Sequence, residues 1–267
     1  MIKTNYVILG AGSAGAVLAN RLSQDPNNNV VLLEAGKSDR NRYDSWKIQM
    51  PAALTYNLAD DNYNWNYYTT PQKNLNNREL HQPRGKVLGG SSSLNAMVYA
   101  RGHKLDFDRW AFKENCSSWS YSECLPYFKK AQNHAEGESE FRGVNGPLDV
   151  CTKNYIKNKY GKLFDIFVKA GVEAGYPFSD DLNGEFQEGF GKFDMTISPN
   201  GERCNSSNAY LRPIINRKNL QIITNAHITN LIINNNIVQG VNYIHNNQEK
   251  KILVDNEVIS CLGSIGS

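Results

Sequence analysis

The feature that most constrains this chain lies at its start, in "NYVILGAGSAGAVLANRLSQDPNNNVVLLEAG", Asn5 to Gly36. An apolar run from Tyr6 to Leu9 reads as a buried strand. Ala14, Val17, Leu18 and Leu22 then recur at helical spacing, and Val30 to Leu33 supplies a second strand. A strand, a crossover helix and a strand in this order predict parallel pairing. Gly10, Gly12 and Gly15 occupy the first connection. Gly10 permits the tight turn, Gly12 lets the backbone approach a pyrophosphate, and Gly15 lets the helix pack on the strand, while the helix N-terminus turns its free N–H groups toward the phosphates. Glu34 closes the second strand 19 residues after Gly15. A carboxylate there accepts from both hydroxyls of an adenosine ribose and argues against a 2′-phosphate.

This fingerprint serves NAD and FAD alike, so the residues beyond Glu34 decide between them. An NAD-dependent dehydrogenase would continue with strand and helix repeats. Residues 36–84 instead are Asn-rich and aromatic, and the alternation breaks. Within them "YNWNYYTTPQ" (Tyr63 to Gln72) alternates polar and aromatic residues, as an exposed or ligand-facing strand would. "GKVLGGSSSLNAM" (Gly85 to Met97) then brings a second stretch with almost no side-chain volume. Two thin-backbone segments suit a long cofactor whose isoalloxazine end needs its own groove once the ADP end is seated.

Composition narrows the partners. The 29 basic and 26 acidic residues leave a formal charge of +3, with no dense Lys/Arg cluster among aromatics, which speaks against nucleic acid. Five cysteines with no CxxC pair suggest reduced thiols, neither a disulfide framework nor a metal centre. No apolar run reaches the roughly 20 residues of a bilayer span, and no secretory leader precedes the first strand.

Gly85, Lys86, Leu88, Gly89, Gly90, Ser91, Ser92, Leu94, Asn95, Tyr99, Gly102 and Asp108 match the first signature of the glucose-methanol-choline (GMC) family of FAD-dependent alcohol oxidoreductases, which the chain resembles. The likeness is strongest to the choline-oxidising branch. It includes "QMPAAL", "NNREL", "LDFDRWA", "SSWSYSECLPYFKKA" and "AGYPFSDDLNGEFQEGFG". The resemblance implies an oxidation of a primary alcohol, choline to betaine aldehyde in this branch, by hydride transfer to flavin N5. It places Ser13 and Ala14 at the pyrophosphate and Glu34 and Ala35 at the adenosine ribose. Gly85, Lys86, Gly89, Gly90, Ser91 and Asn95 would run along the flavin, with Ala96 and Met97 just beyond, and Ile228 would meet the adenine through its backbone. Leu94 stands where some relatives carry a flavin-linked histidine, so the FAD is expected to be non-covalent.

A quaternary ammonium substrate calls for aromatic faces, and Trp65, Tyr67 and Tyr68 are the substrate candidates, although their alternation fits ordinary strand packing equally. "VISCLGSIGS" begins the family's second signature, which makes the chain look like an amino-terminal portion. The catalytic base is then expected outside it, and none of His81, His103, His134, His227 and His245 is nominated; His227 reads as a surface strand residue. In the family's dehydrogenases the electron acceptor is a membrane quinone or a dye, and the reduced thiols and lack of a span or leader suit a protein that is cytoplasmic or peripherally attached to the inner membrane face. Another family alcohol dehydrogenase and a non-catalytic flavin-binding remnant are the alternatives.

The expected fold is α/β. A Rossmann-like FAD-binding domain with a parallel sheet and an antiparallel strand unit covers residues 1–145 and 201–267, with a substrate-domain insertion beginning over 146–200. Leu163, Phe164, Phe167, Val168 and Val172 fall on one helical face and predict a packed helix, and Trp110, Trp119 and Tyr127 read as packing residues. Short strands are expected at 221–223, 228–233, 238–244, 251–254 and 257–260. Against the family pattern, Asn205 replaces a small hydroxyl residue, Asn208 a basic one, and Leu262 an alanine.

Overall fold

The computed structural model describes residues 2–152 and 161–267. Along the chain run β1 (Ile2–Leu9), α1 (Ser13–Leu22), β2 (Val30–Leu33), α2 (Trp46–Gln49), α3 (Leu54–Leu58), β3 (Tyr67–Tyr68) and β4 (His81–Gln82). Next come β5 (Val98–Tyr99), α4 (Lys104–Lys113), α5 (Tyr121–Ala131), β6 (Gln132–His134), β7 (Leu148–Val150), α6 (Gly161–Glu173) and β8 (Asp194–Met195). The last are β9 (Leu220–Ile223), β10 (Ala226–Asn234), β11 (Ile237–His245), β12 (Gln248–Ser260) and α7 (Gly263–Gly266). They divide into two compact units, Met1–Ala96 with Asn205–Ser267, and Met97–Cys204.

The first unit is built on a six-stranded sheet in the order β10-β11-β12-β1-β2-β9. β12, β1, β2 and β9 run parallel, while β10, β11 and β12 form an antiparallel meander. The parallel core and the antiparallel unit expected from sequence are both present. Their junction differs: residues 251–254 and 257–260 belong to one strand, β12, which pairs with β11 through Leu253 and with β1 from Ile252 to Ser260. A register shift between Thr4 and Tyr6 absorbs the change. Val7, Leu9, Val31 and Leu33 point to one face and pack with Ala226, Val241, Tyr243 and Ile252. Ile8 and Leu32, one residue out of phase, are fully buried with Ala16 and Ala19 of α1, as strand and helix periodicities require. A smaller core of Ile48, Tyr63, Val87 and Leu94 stiffens the segment after β2. Of the strand read over residues 63–72, only β3 is regular, paired with β4.

In the second unit Phe107 on α4 packs edge-on against Trp110 and against Phe128 of α5. Met97 packs with Cys151 and Ile197. Buried Asp194 accepts from Asn183, Thr152 and His134. These contacts lie within the unit that runs from Met97 to Cys204. The helix expected around Phe164 forms as α6, with Gly171 seated on Phe190. Its apolar face is only partly covered among the described residues: Phe167 packs on Phe190, yet Leu163, Phe164, Phe167 and Val172 stay largely exposed, as do Trp110, Trp119 and Tyr127. Periodicity identified the helices but not which faces are covered. None of the five cysteines forms a disulfide. Among the described residues no helix is long and apolar enough to cross a membrane, and no cluster of His, Cys, Asp and Glu has the makings of a metal site.

Candidate functional site

Where β1 ends, Gly10 turns the chain with φ +92°, and a side chain there would meet the carbonyl oxygen of Cys261 at 2.6 Å. A Cβ on Gly15 would stand 1.9 Å from the Gly10 oxygen and 3.3 Å from the Ile8 side chain, so only glycine lets α1 start this close to β1. Gly12 precedes the helix in extended conformation with no side-chain cap, and no acidic residue occupies the first turn. The N–H groups of the first turn, at exposed Ser13 and Ala14, are therefore left to an outside acceptor.

The second glycine segment comes directly against the first. Gly89 N–H donates to the Ala11 carbonyl at 2.9 Å. Gly90 adopts φ +54°, and a Cβ there would lie 2.7 Å from the Gly12 Cα. A Cβ on Gly85 would sit 2.2 Å from the Gly90 oxygen. Two loops about 78 residues apart in sequence thus cross with nothing but backbone between them, the form needed where a flat or phosphorylated ligand lies against main chain. From this crossing opens a cleft of about 730 Å³. Ser92 and Ser93 do not face it; they tie the loop down through Gly89 O, Ser206 and Leu88 O. Asn205 is buried and fully used: its amide donates to Ser93 Oγ at 2.8 Å and its carbonyl oxygen accepts from Asn208 N–H at 2.8 Å.

Glu34 lies at the end of β2, buried, with one carboxylate oxygen accepting from Ala11 N–H at 2.9 Å and the other from Gly36 N–H at 2.8 Å. Burial pushes its carboxyl up to about 7, against the opposing pull of those two amides and of Lys86. Each oxygen keeps one further lone pair. The start of β10 is bound to the same corner, with Ala226 N–H donating to Glu34 O and Asn225 N–H to Gly36 O.

The cleft brings together Gly10, Gly12, Ser13, Ala14, Glu34, Ala35, Gly85, Gly90, Ser91 and Ile228, together with Trp65 and Tyr67. Gly15 and Gly89 instead serve the packing around it. Lys86 turns its ammonium over the Trp65 ring, 4.6 Å from the centroid. Asn95 and Ala96 are exposed outside the cleft lining, and the Met97 side chain is committed to the core of the second unit. Tyr68, neighbour to Tyr67, points to the opposite face of its strand and packs on His81. Leu94 is buried with Val87 and Tyr63 and presents nothing to the cleft. Sequence reasoning missed Arg84 and His227, which both line it, as does the segment Ser260–Ser267. The position of His227 beside Ile228 was the available signal.

A cleft bordered by two glycine loops, with an uncapped helix start and, bonded to Ala11 just before it, a buried carboxylate with spare lone pairs, fits an extended dinucleotide. A profile of the family described as GMC oxidoreductase matches residues 4–267. The chain is 47% identical over 265 residues to the mitochondrial choline dehydrogenase of Mus musculus, covering 98% of this chain and 44% of that protein. It is 46% identical over 263 residues to the oxygen-dependent choline dehydrogenase of Vibrio vulnificus, covering 98% and 46%. It therefore spans less than half the length of these relatives. Among solved structures, pyridoxine 4-oxidase from Mesorbium loti superposes with a TM-score of 0.88 at 31% identity, over 98% of this chain and 50% of that one. A formate oxidase gives 0.85 at 27%, over 97% and 45%. The loop crossing, the sheet and these likenesses together make the chain a member of the GMC oxidoreductase family, and its cofactor is FAD.

Proposed function

We propose that this chain provides the FAD-binding part of a dehydrogenase that oxidises choline to betaine aldehyde. The observation that carries the reading is the direct crossing of the Gly12 and Gly90 loops beside Glu34, within a chain nearly half identical to choline dehydrogenases along its length. Bound FAD supplies the acceptor for hydride from the alcohol carbon. The chain's own residues hold and orient it. The first-turn N–H groups at Ser13 and Ala14 take the pyrophosphate charge, and the free lone pairs of Glu34 accept from the ribose hydroxyls. The Ile228 backbone borders the adenine, and Gly85, Gly90 and Ser91 leave room for the ring system. Lys86, Gly89, Asn95, Ala96 and Met97 act by shaping this loop and its exit.

The second compact unit, on the same reading, begins the substrate domain, and electrons pass on to a quinone at a membrane face. Purified chain should be yellow, with a flavin spectrum that acid or denaturant releases entirely into solution. A colourless protein that takes up no FAD, or flavin that stays with the precipitate, would overturn the cofactor assignment or its non-covalent attachment. In the full-length enzyme, anaerobic bleaching of the flavin by choline but not by ethanol or benzyl alcohol tests the substrate. Quinone reduction in the absence of oxygen tests the acceptor.

A further inference from the structure

The alternating aromatic segment enters the cleft through Trp65 and Tyr67. Trp65 is anchored by its backbone at the Gly85 rim, its N–H donating to the Arg84 carbonyl at 2.9 Å. Its ring reaches across to His227, with centroids 5.9 Å apart. His227 opens β10, whose first residue is bonded to the Glu34 carbonyl. The indole therefore lies on the β10 side of the cleft, near the corner that holds Glu34. Tyr67 lies parallel to it within 3°, with centroids 6.0 Å apart, and Lys86 stands over the ring. A half-buried indole held by a neighbouring ring and a cation is a preorganised flat face, and it borders the cleft beside Ile228.

Resting on the FAD reading, we propose that Trp65 is the stacking platform for the adenine of the bound nucleotide, with Tyr67 and Lys86 holding it in place, and that it takes no part in recognising the alcohol. An aromatic face binds a purine through π-overlap and dispersion, while the substrate must sit over the isoalloxazine at the other end of the cofactor. The chain then recognises the adenylate half independently of the flavin half, and ADP competes with FAD whereas FMN competes weakly.

The test is a fluorescence titration of this chain with FAD, and with ADP and FMN as competitors, for wild type, Trp65→Ala and Trp65→Phe. Trp65→Ala should weaken FAD and ADP by the same factor, about tenfold or more, and leave FMN unchanged; Trp65→Phe should recover most of the loss. Unchanged melting temperatures establish that the variants fold. Equal ADP affinity in wild type and Trp65→Ala would overturn the proposal, as would a loss that falls on FMN as heavily as on ADP. A wild-type chain that binds ADP through Trp65 but takes up no FAD would remove the cofactor reading and leave the adenine platform standing.

Discussion

Replacing Gly90 by alanine puts a methyl carbon 2.7 Å from the Gly12 Cα, where carbon–carbon contacts settle at about 3.5–4.0 Å. The atom in the way is backbone, so no rotamer relieves it. The residue also holds φ +54°, a left-handed conformation that costs an L-residue about 1–2 kcal/mol. Pushing two packed loops apart adds about 1–3 kcal/mol. Together these give about 2–5 kcal/mol, or a fall in Tm of roughly 5–15 °C for a chain of this size. Gly201 is the internal control: it has φ +79° but nothing within 4 Å of its Cβ position, so Gly201→Ala bears only the dihedral cost. Circular dichroism melts and flavin titrations of both variants separate the two contributions. Gly90→Ala should lose several degrees more than Gly201→Ala and bind FAD at least tenfold more weakly. If both variants behaved alike in melting and in FAD affinity, the crossing of the two loops would not be what shapes the cleft.

Further outcomes are expected. Glu34, raised from 4.5 to about 7 by burial, takes up a proton on folding, so its contribution is fully present below pH 4.5 and is lost as pH rises to 7. The ligand-free chain should therefore lose about 3 kcal/mol across that window in urea titrations, and Glu34→Gln should flatten the slope. Because ribose hydroxyls donate to a carboxylate, FAD should bind more tightly as pH rises through 7, and this dependence should vanish in Glu34→Gln. Asn205→Ala takes a partner from Asn208 N–H and another from Ser93 Oγ and should cost about 2–3 kcal/mol in urea titrations. Gly15→Ala, whose Cβ would stand 1.9 Å from the Gly10 oxygen, should yield insoluble protein on expression.

Much of the architecture was legible because it rests on local demands. The βαβ start follows from two periodicities and three glycines, of which Gly10 and Gly15 are required by backbone that a Cβ would strike, at the adjoining strand end and within a few residues. The parallel core and antiparallel meander follow from short β-branched runs separated by asparagine turns, and many of those asparagines take positive φ. Glu34 is placed by its position at the end of β2. Asn205 departs from the family pattern, yet it is among the best-satisfied side chains behind the glycine loop, since a longer amide spans from Ser93 to Asn208.

Other features depend on distances that no local pattern records. Alternation marks Trp65, Tyr67 and Tyr68 as aromatic but not which faces the cleft; pairing of β3 with β4 sends Tyr68 to His81 and leaves the other two inside. Met97 looks like a continuation of the glycine segment until Cys151 and Ile197 claim it. Helical spacing gives α6 an apolar face without saying that, among the described residues, Phe190 covers only part of it. The sequence alone determined where side chains are absent, because glycine is written residue by residue. Tertiary structure decided that the two bare loops meet and that Trp65 meets His227, because such meetings depend on register and packing summed over the whole sheet.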